Sequence, residues 1–171
     1  MLGKDMASTA QVDIVLVQHL LNYWNGRGVD MNQLWPILRI DPELPLPRWV
    51  DTDRVADAYD FVARFLNDEL LAFDLGIYMA RREMPLQRLL RCAPSLRKGI
   101  EALIPYVYLS TGSLRYEINT SQSDIVLISV ERHPERHVSP LQLSAAVVIM
   151  AGVCRDALGE SFEAEDLCMH L

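Results

Sequence analysis

The residues that could carry catalytic or metal chemistry are scattered along the sequence and form no recognisable site. His133 and His137 are four residues apart, a spacing at which two imidazoles on one helical face can bind a metal ion. Pro134 between them disfavours a helix, so we interpret both histidines as solvated loop residues. The segment 26–28 (Gly-Arg-Gly) follows a predicted helix and lacks the third glycine of a dinucleotide-binding loop. We therefore predict no catalytic residue, no metal site and no cofactor.

The remaining candidates for chemistry have simpler interpretations. His19 lies among apolar residues of a predicted helix, where a hydrogen-bonded core or boundary histidine is the more frequent case. The three cysteines, Cys92, Cys154 and Cys168, are an odd number at wide spacing, which is typical of buried thiols in a reducing compartment. Aromatic residues are numerous but more often belong to a core than to a ligand site. The sequence predicts a protein that binds rather than catalyses.

Composition limits the class of protein. With 171 residues, half of them hydrophobic and 23% charged, the chain fits one globular domain, with residues 1–9 as a loose N-terminus. The formal net charge of −7 disfavours direct contact with nucleic acid, because a phosphate backbone would repel the chain. Uninterrupted apolar runs are too short to cross a bilayer, and no signal peptide is recognisable. We expect a cytoplasmic protein with no membrane partner.

Most of the chain has the apolar periodicity of helices. The first helix is predicted to begin at a capping box, Ser8 to Gln11, and to end at the glycines of residues 26–28. A second begins at Asp30, and the proline-rich segment 41–47 is a surface connection. Two further helices follow from residues 51 and 71. Prolines 85 and 94 each suit a helix start.

The second half of the chain is predicted to contain both helices and strands. Pro105 interrupts the apolar pattern of residues 94–111, which predicts a kink or break in that helix. Alternation then predicts a β-hairpin over about 113–131 and a third strand over about 164–171. A long helix between them begins at a capping box, Ser139 to Gln142, and ends at Gly159. The predicted fold is α+β, mostly helical, with a small antiparallel sheet covered by helices.

The order of several segments is more informative than any single residue. These segments are Leu21 to Asp30, Leu38 to Leu44, Val50 to Val55, Phe73 to Ala80, Ala93 to Leu96 and Ile100 to Leu103. In this order they resemble the arabinose-binding-type N-terminal domains of AraC regulators. Hairpin, long helix and last strand follow in the same order. The sequence departs from the family pattern at Pro105, where members continue the helix, and at Met84-Pro85-Leu86, which replaces a glycine-rich step.

The resemblance implies a role in transcription regulation. It implies that this part senses a small effector and supports formation of a homodimer, and that DNA is bound only through a C-terminal helix-turn-helix domain absent from this chain. The alternative is a dimerisation module that binds no ligand; a small enzyme of unfamiliar type is the third reading. We also expect self-association through the helix from Ser139 to Leu158, because Val147 and Val153 extend its apolar surface beyond the stripe that one core requires.

We predict a ligand site between the kinked helix and the hairpin. Tyr106 and Tyr108 lie just beyond Pro105 with hydroxyls able to orient a ligand, and Tyr59 and Tyr78 are further candidates. Arg115 lies on the strand face opposite to its two neighbours and faces either solvent or a cavity. If it faces a cavity, its planar guanidinium suits a carboxylate, and the effector would be acidic. The alternative is a surface arginine paired across the hairpin.

Overall fold

The computed structural model of the protein describes residues 10–82, 90–111, 113–122 and 125–159, with the side chains of 105–111, 118–122, 125–127 and 158 left aside. The helices are α1 (Ile14–Gly26), α2 (Met31–Leu38), α3 (Thr52–Leu66), α4 (Leu71–Ala80), α5 (Leu96–Thr111) and α6 (Pro140–Leu158). The strands are β1 (Gln11–Asp13), β2 (Trp49–Asp51), β3 (Leu114–Gln122) and β4 (Ile125–Arg132). The fold is α+β and mostly helical. The expected third strand of the hairpin's sheet, the N-terminal residues 1–9 and Met84-Pro85-Leu86 lie outside the described residues.

The hairpin that alternation predicts is present as β3 and β4. The two strands are antiparallel, with Leu114 opposite Arg132 and Tyr116 opposite Val130. Leu114 and Tyr116 are buried, whereas Arg115 between them is exposed. One face of the hairpin therefore packs on the core and the other is open to solvent, as the alternation of side chains along a strand requires.

A second, smaller sheet was not predicted, and it displaces the start of the first helix. β1 and β2 pair antiparallel with Val12 opposite Val50, and both valines are buried. The expected helix start at Ser8 to Gln11 is wrong, because Gln11 belongs to β1. Helix α1 begins at Ile14, where the Asp13 carboxylate accepts a hydrogen bond from the Val15 amide at 2.8 Å. Strands of three residues are too short to show an alternating apolar pattern in the sequence.

The prolines of the second half have a smaller effect than expected. Helix α5 runs from Leu96 to Thr111 and continues through Pro105 without a break. A proline inside a helix removes one backbone hydrogen bond, and a long helix retains the others. Pro94 lies before the helix, where the Ser95 hydroxyl accepts a hydrogen bond from the Lys98 amide at 3.3 Å. Pro105 therefore does not divide this segment into two helices.

Two groups of buried side chains form the core, one around α1 to α4 and one around α5, the hairpin and the end of α6. Helices α4 and α6 connect them and lie unusually close together. A Cβ added at Gly76 would lie 2.5 Å from Val148 Cβ, and one added at Gly152 would lie 2.6 Å from Ala80 Cβ. The missing side chains of Gly76 on α4 and Gly152 on α6 allow this approach.

The start of α6 contains buried polar groups without partners. Ser139 is the N-cap residue, but its hydroxyl makes no capping bond, and Gln142 donates to the Ser113 hydroxyl at 3.2 Å instead. The predicted capping box is therefore wrong in geometry, although the helix begins at Pro140 and ends at Gly159 as expected. The Ser139 hydroxyl and the amide oxygen of Gln142, Oε1, are buried and make no hydrogen bond.

Helix α6 bears on the expectation that no segment is long and apolar enough to cross a bilayer. By length and composition, residues 140–157 could cross a bilayer, the single such helix in the described part of the chain. The expectation considered only uninterrupted apolar runs, whereas this window contains occasional polar residues. A third of it is buried, and it packs against α4. A core helix passes the same test, so we interpret α6 as part of the core.

We expect Gly76→Ala to destabilise the domain by about 1 to 3 kcal/mol, because the new methyl group meets a side chain fixed on α6 and has no space to move into. The matched control is Gly26→Ala at the end of α1, where an added Cβ has nothing within 4 Å. That variant should be neutral or up to about 1 kcal/mol more stable, since alanine favours a helix. Urea unfolding measures both, and equal stabilities would contradict the close helix contact.

A second pair of variants compares two helix starts. The Asp30 carboxylate caps α2 by accepting from the Asn32 amide at 2.9 Å, so Asp30→Ala should cost about 1 kcal/mol. Ser139→Ala removes a buried hydroxyl that has no partner, and its stability should stay within about 0.5 kcal/mol of wild type. If chemical denaturation finds the two losses equal, the Ser139 hydroxyl does make a bond that the structure lacks.

Candidate functional site

An open cleft of about 450 Å³ lies between α1 and α4. Its lining combines aromatic, apolar and charged side chains: Tyr23, Arg27, Asp74, Ile77, Tyr78, Arg81 and Arg82. Positions 74, 77 and 78 of α4, with position 81 directly after it, follow the spacing of a single helical face. The other face of α4 carries Leu71, Leu75 and Met79, which are buried in the core. Helix α4 therefore supplies the cleft on one side and holds the core on the other.

Arg27 connects the end of α1 to α4 through ion pairs. It lies directly after α1, and its guanidinium forms ion pairs with Asp68 before α4 and with Asp74 on α4, the latter at 3.1 Å. It also donates to the Tyr23 hydroxyl at 3.4 Å. The hydrogen bond that Arg27 donates to Asp74, followed by the interaction with Tyr23, raises the pKa of Arg27 above its usual value. Arg27 is thus a permanently charged group that already makes three side-chain hydrogen bonds within the protein, two of them to carboxylates.

Two tyrosines form the aromatic part of the cleft. The rings of Tyr23 and Tyr78 lie 4.9 Å apart, centroid to centroid, at an interplanar angle of 49°. The guanidinium of Arg82 lies over the Tyr78 ring, 4.3 Å from its centroid, in a cation–π contact. Burial raises the pKa of the Tyr23 hydroxyl, although the charge of Arg27 opposes this effect. At neutral pH that hydroxyl is protonated and can form hydrogen bonds with a ligand.

The charge of the cleft is opposite to that of the whole chain. Three of its lining residues are arginines and one, Asp74, is acidic, whereas the formal net charge of the protein is −7. Within the described residues, no carboxylate lies within ion-pair distance of Arg81 or Arg82. A positive, concave surface with aromatic walls is suited to a small organic anion.

Of the five residues expected to bind ligand, Tyr78 lies in this cleft. Tyr59 lies in the core at 6% exposure, edge-on to Trp24 at 5.2 Å. Burial, with a smaller contribution from Tyr116, raises the pKa of Tyr59. Arg115 has 62% of its side chain exposed and pairs with Glu117 of the same strand at 2.8 Å. Tyr106 and Tyr108 belong to α5, but their side chains lie outside the description.

The two histidines considered for chemistry hydrogen-bond to neighbouring protein groups, and the described cysteines differ in their exposure. His137 contacts Asp60 of α3 at 2.8 Å through Nε2, while the Nδ1 of His133 accepts from the Glu135 amide at 3.3 Å. No cluster of three metal-binding side chains occurs among the described residues. Cys154 is buried, which raises the pKa of its thiol to about 11. Cys92 is exposed, contrary to expectation, and Cys168 lies outside the description.

Sequence reasoning missed most of the cleft. Arg27 was interpreted only through the glycines beside it, which end α1, and Arg81 and Arg82 were given no functional role. The available signal was the α4 spacing of Asp74, Ile77, Tyr78 and Arg81, a mixed polar and aromatic stripe opposite an apolar one. The pairing of α1 with α4, which completes the cleft, is a tertiary contact that local spacing does not reveal.

Comparison with known proteins gives one match. Residues 28–170 match the family model of the N-terminal arabinose-binding domain of AraC transcription regulators. Neither the curated proteins nor the solved structures include a significant match to this chain. The match begins at Gly28, so the α1 wall of the cleft precedes it. Because the matched residues make up most of the sequence and the fold is the α+β fold that the resemblance implies, the chain belongs to the family of N-terminal arabinose-binding domains of AraC transcription regulators.

Proposed function

We propose that this domain binds a small-molecule effector in the cleft between α1 and α4, and that binding controls the DNA-binding half of an AraC-type cytoplasmic regulator. The family is one of ligand-sensing regulatory domains. The observation that supports the location is the cleft itself, which has a volume within the range of small-molecule sites and combines aromatic rings with convergent polar groups. The activity requires differential affinity for two conformations and no chemical step.

The structure of α4 supports a route for the signal. One face of α4 lines the cleft, while Gly76 and Ala80 contact α6 with almost no side chain between the two helices. Helices in such close contact move together, since no flexible side chain can absorb a displacement. A ligand that shifts α4 would therefore shift α6. In the full regulator, α6 would pass this change toward the DNA-binding half.

The residues expected from sequence form a rival site. Arg115, Tyr59, Tyr106 and Tyr108 would surround a ligand between α5 and the hairpin. The exposure of Arg115 and its pairing with Glu117 favour the surface interpretation of that residue, although its partner lies on its own strand and not across the hairpin. The cleft is preferred because its groups already converge around an open volume.

The second candidate function is a dimerisation module without a ligand. Helix α6 supports it, because Val147 is apolar and half-exposed yet belongs to neither group of core side chains. Ala151, one turn further on, is likewise half-exposed. The same expectation is wrong for Val153, which is buried in the core and adds nothing to the exposed surface. An apolar strip of this kind is typical of the contact between two copies in a symmetric dimer.

A thermal-shift panel of amino acids, sugars and fatty acids tests effector binding. A ligand at 100 times its dissociation constant should stabilise the domain by roughly 2.7 kcal/mol. Ile77→Trp fills the cleft whatever the ligand's chemistry, and should abolish that shift. Arg115→Ala, the matched variant at the rival site, should keep it.

The opposite pattern, with the shift lost in Arg115→Ala and kept in Ile77→Trp, would move the site to the hairpin. If no ligand shifts the wild type and the melting midpoint rises with protein concentration, the dimerisation module is the better account.

Self-association is a separate prediction. Sedimentation at tens of micromolar should show a dimer, and Val147→Lys should convert it to monomer by placing a charge in the apolar contact. Val15→Lys, on an exposed position of α1, is the control and should leave the dimer intact. A wild type that sediments only as monomer would contradict the proposed role of α6.

A further inference from the structure

We infer that the effector carries a carboxylate and that Arg82, supported by Arg81, binds it, while Arg27 does not. This inference rests on the proposed location of the effector and adds the chemical class of the ligand. It depends on how the three arginines of the cleft are already used by the protein. They differ in this respect, and the difference decides which of them is available to a ligand.

Arg27 is occupied. Its guanidinium already has two carboxylate partners, Asp68 and Asp74, and also donates to the Tyr23 hydroxyl. A ligand anion would have to displace one of these carboxylates and leave it beside the incoming negative charge. The exchange would gain little, because one charge-assisted bond replaces another. Arg27 therefore holds α1 against α4 and shapes the cleft.

Arg82 is positioned by an aromatic ring, and among the described residues no carboxylate forms an ion pair with it. Its guanidinium carbon lies over the Tyr78 ring, 4.3 Å from the ring centroid. This contact engages the charge of the cation and not its N–H donors, which stay available to a ligand. The ring excludes water from one face of the cation. It also restricts the Arg82 side chain before a ligand binds, so less conformational entropy is lost on binding. Arg81 lines the same cleft, and no described carboxylate pairs with it. Together they offer planar donor groups that match a carboxylate.

The rest of the lining favours an organic monocarboxylate over a phosphate ion. Tyr23, Tyr78 and Ile77 present apolar surface that a bare inorganic ion would leave unused. Asp74 places one negative charge in the lining, which disfavours a dianion more than a monoanion. The volume of about 450 Å³ suits a small organic molecule. A planar or aromatic carboxylate could stack beside Tyr78 while its charged group meets Arg82.

The test uses three simple probes: benzoate, its neutral isostere benzamide, and inorganic phosphate. Binding at millimolar concentrations is followed by ligand-observed NMR and by shifts of the protein's own amide signals. Benzoate should bind wild type more tightly than either of the other probes, and added salt should weaken it through screening. Arg82→Ala should weaken benzoate by about 10- to 100-fold, the loss expected for one charged hydrogen-bonding partner. Arg64→Ala, an exposed arginine of α3, is the matched control and should change nothing.

Several results would overturn the inference. Equal affinities for benzamide and benzoate, or an unchanged affinity for benzoate in Arg82→Ala, would show that Arg82 does not recognise a carboxylate. Tighter binding of phosphate would assign the site to inorganic or phosphorylated anions, and absence of benzoate binding would remove the class altogether.

If the effector instead binds outside the cleft, Ile77→Trp would leave the binding of every ligand intact. If that variant blocks a neutral ligand from the panel, the cleft stands and only the carboxylate is wrong.

Discussion

The close contact between α4 and α6 is the constraint on which the rest of the structure depends. At Gly76 and Gly152 the two helices approach until no side chain fits between them. This contact joins the two groups of core side chains and fixes the orientation of α4. With one side of α4 held by α6 and the core, its remaining side is available for the cleft. The position of the cleft is thus a consequence of how the core is packed.

Arg27 supplies the second constraint, this time electrostatic. The end of α1, the segment before α4 and α4 itself meet at its guanidinium, which has carboxylate partners in both latter elements. Partly exposed ion pairs contribute little to stability one at a time, but an arginine that bridges two carboxylates on different elements fixes their relative geometry. The arginine that fixes the cleft is therefore distinct from the arginines that remain available to a ligand. This division of roles keeps the cleft formed before any ligand arrives.

Much of the fold could be predicted from the sequence, for identifiable reasons. The hairpin and the long last helix have periodicities of adequate length, and the cap at Asp30 is local chemistry. The β1 and β2 pair could not be predicted, because each strand has three residues and their pairing spans the segment between Asp13 and Trp49. The helix through Pro105 shows that tertiary context outweighs the cost of one lost hydrogen bond.

The candidate site was less accessible to sequence reasoning. Tyr78 was identified as a candidate, but the attention given to Arg115 followed from strand alternation, which gives the face of a side chain and not whether that face meets solvent or a cavity. Arg81 and Arg82 differ from other surface arginines only through Tyr78 and the α1 residues opposite. The candidate site therefore depends on which elements pack together and not on residue type alone.

The central claim is that occupation of the α1 and α4 cleft is transmitted to α6. Amide hydrogen exchange with the ligand that gives the largest thermal shift tests it most directly, because exchange reports local stability along the chain. The account predicts slower exchange at the end of α1, along α4, and in the part of α6 around Val148 that faces Gly76, with the β3 and β4 hairpin unchanged. Protection centred on α5 and the hairpin, or confined to α4 without α6, would contradict it.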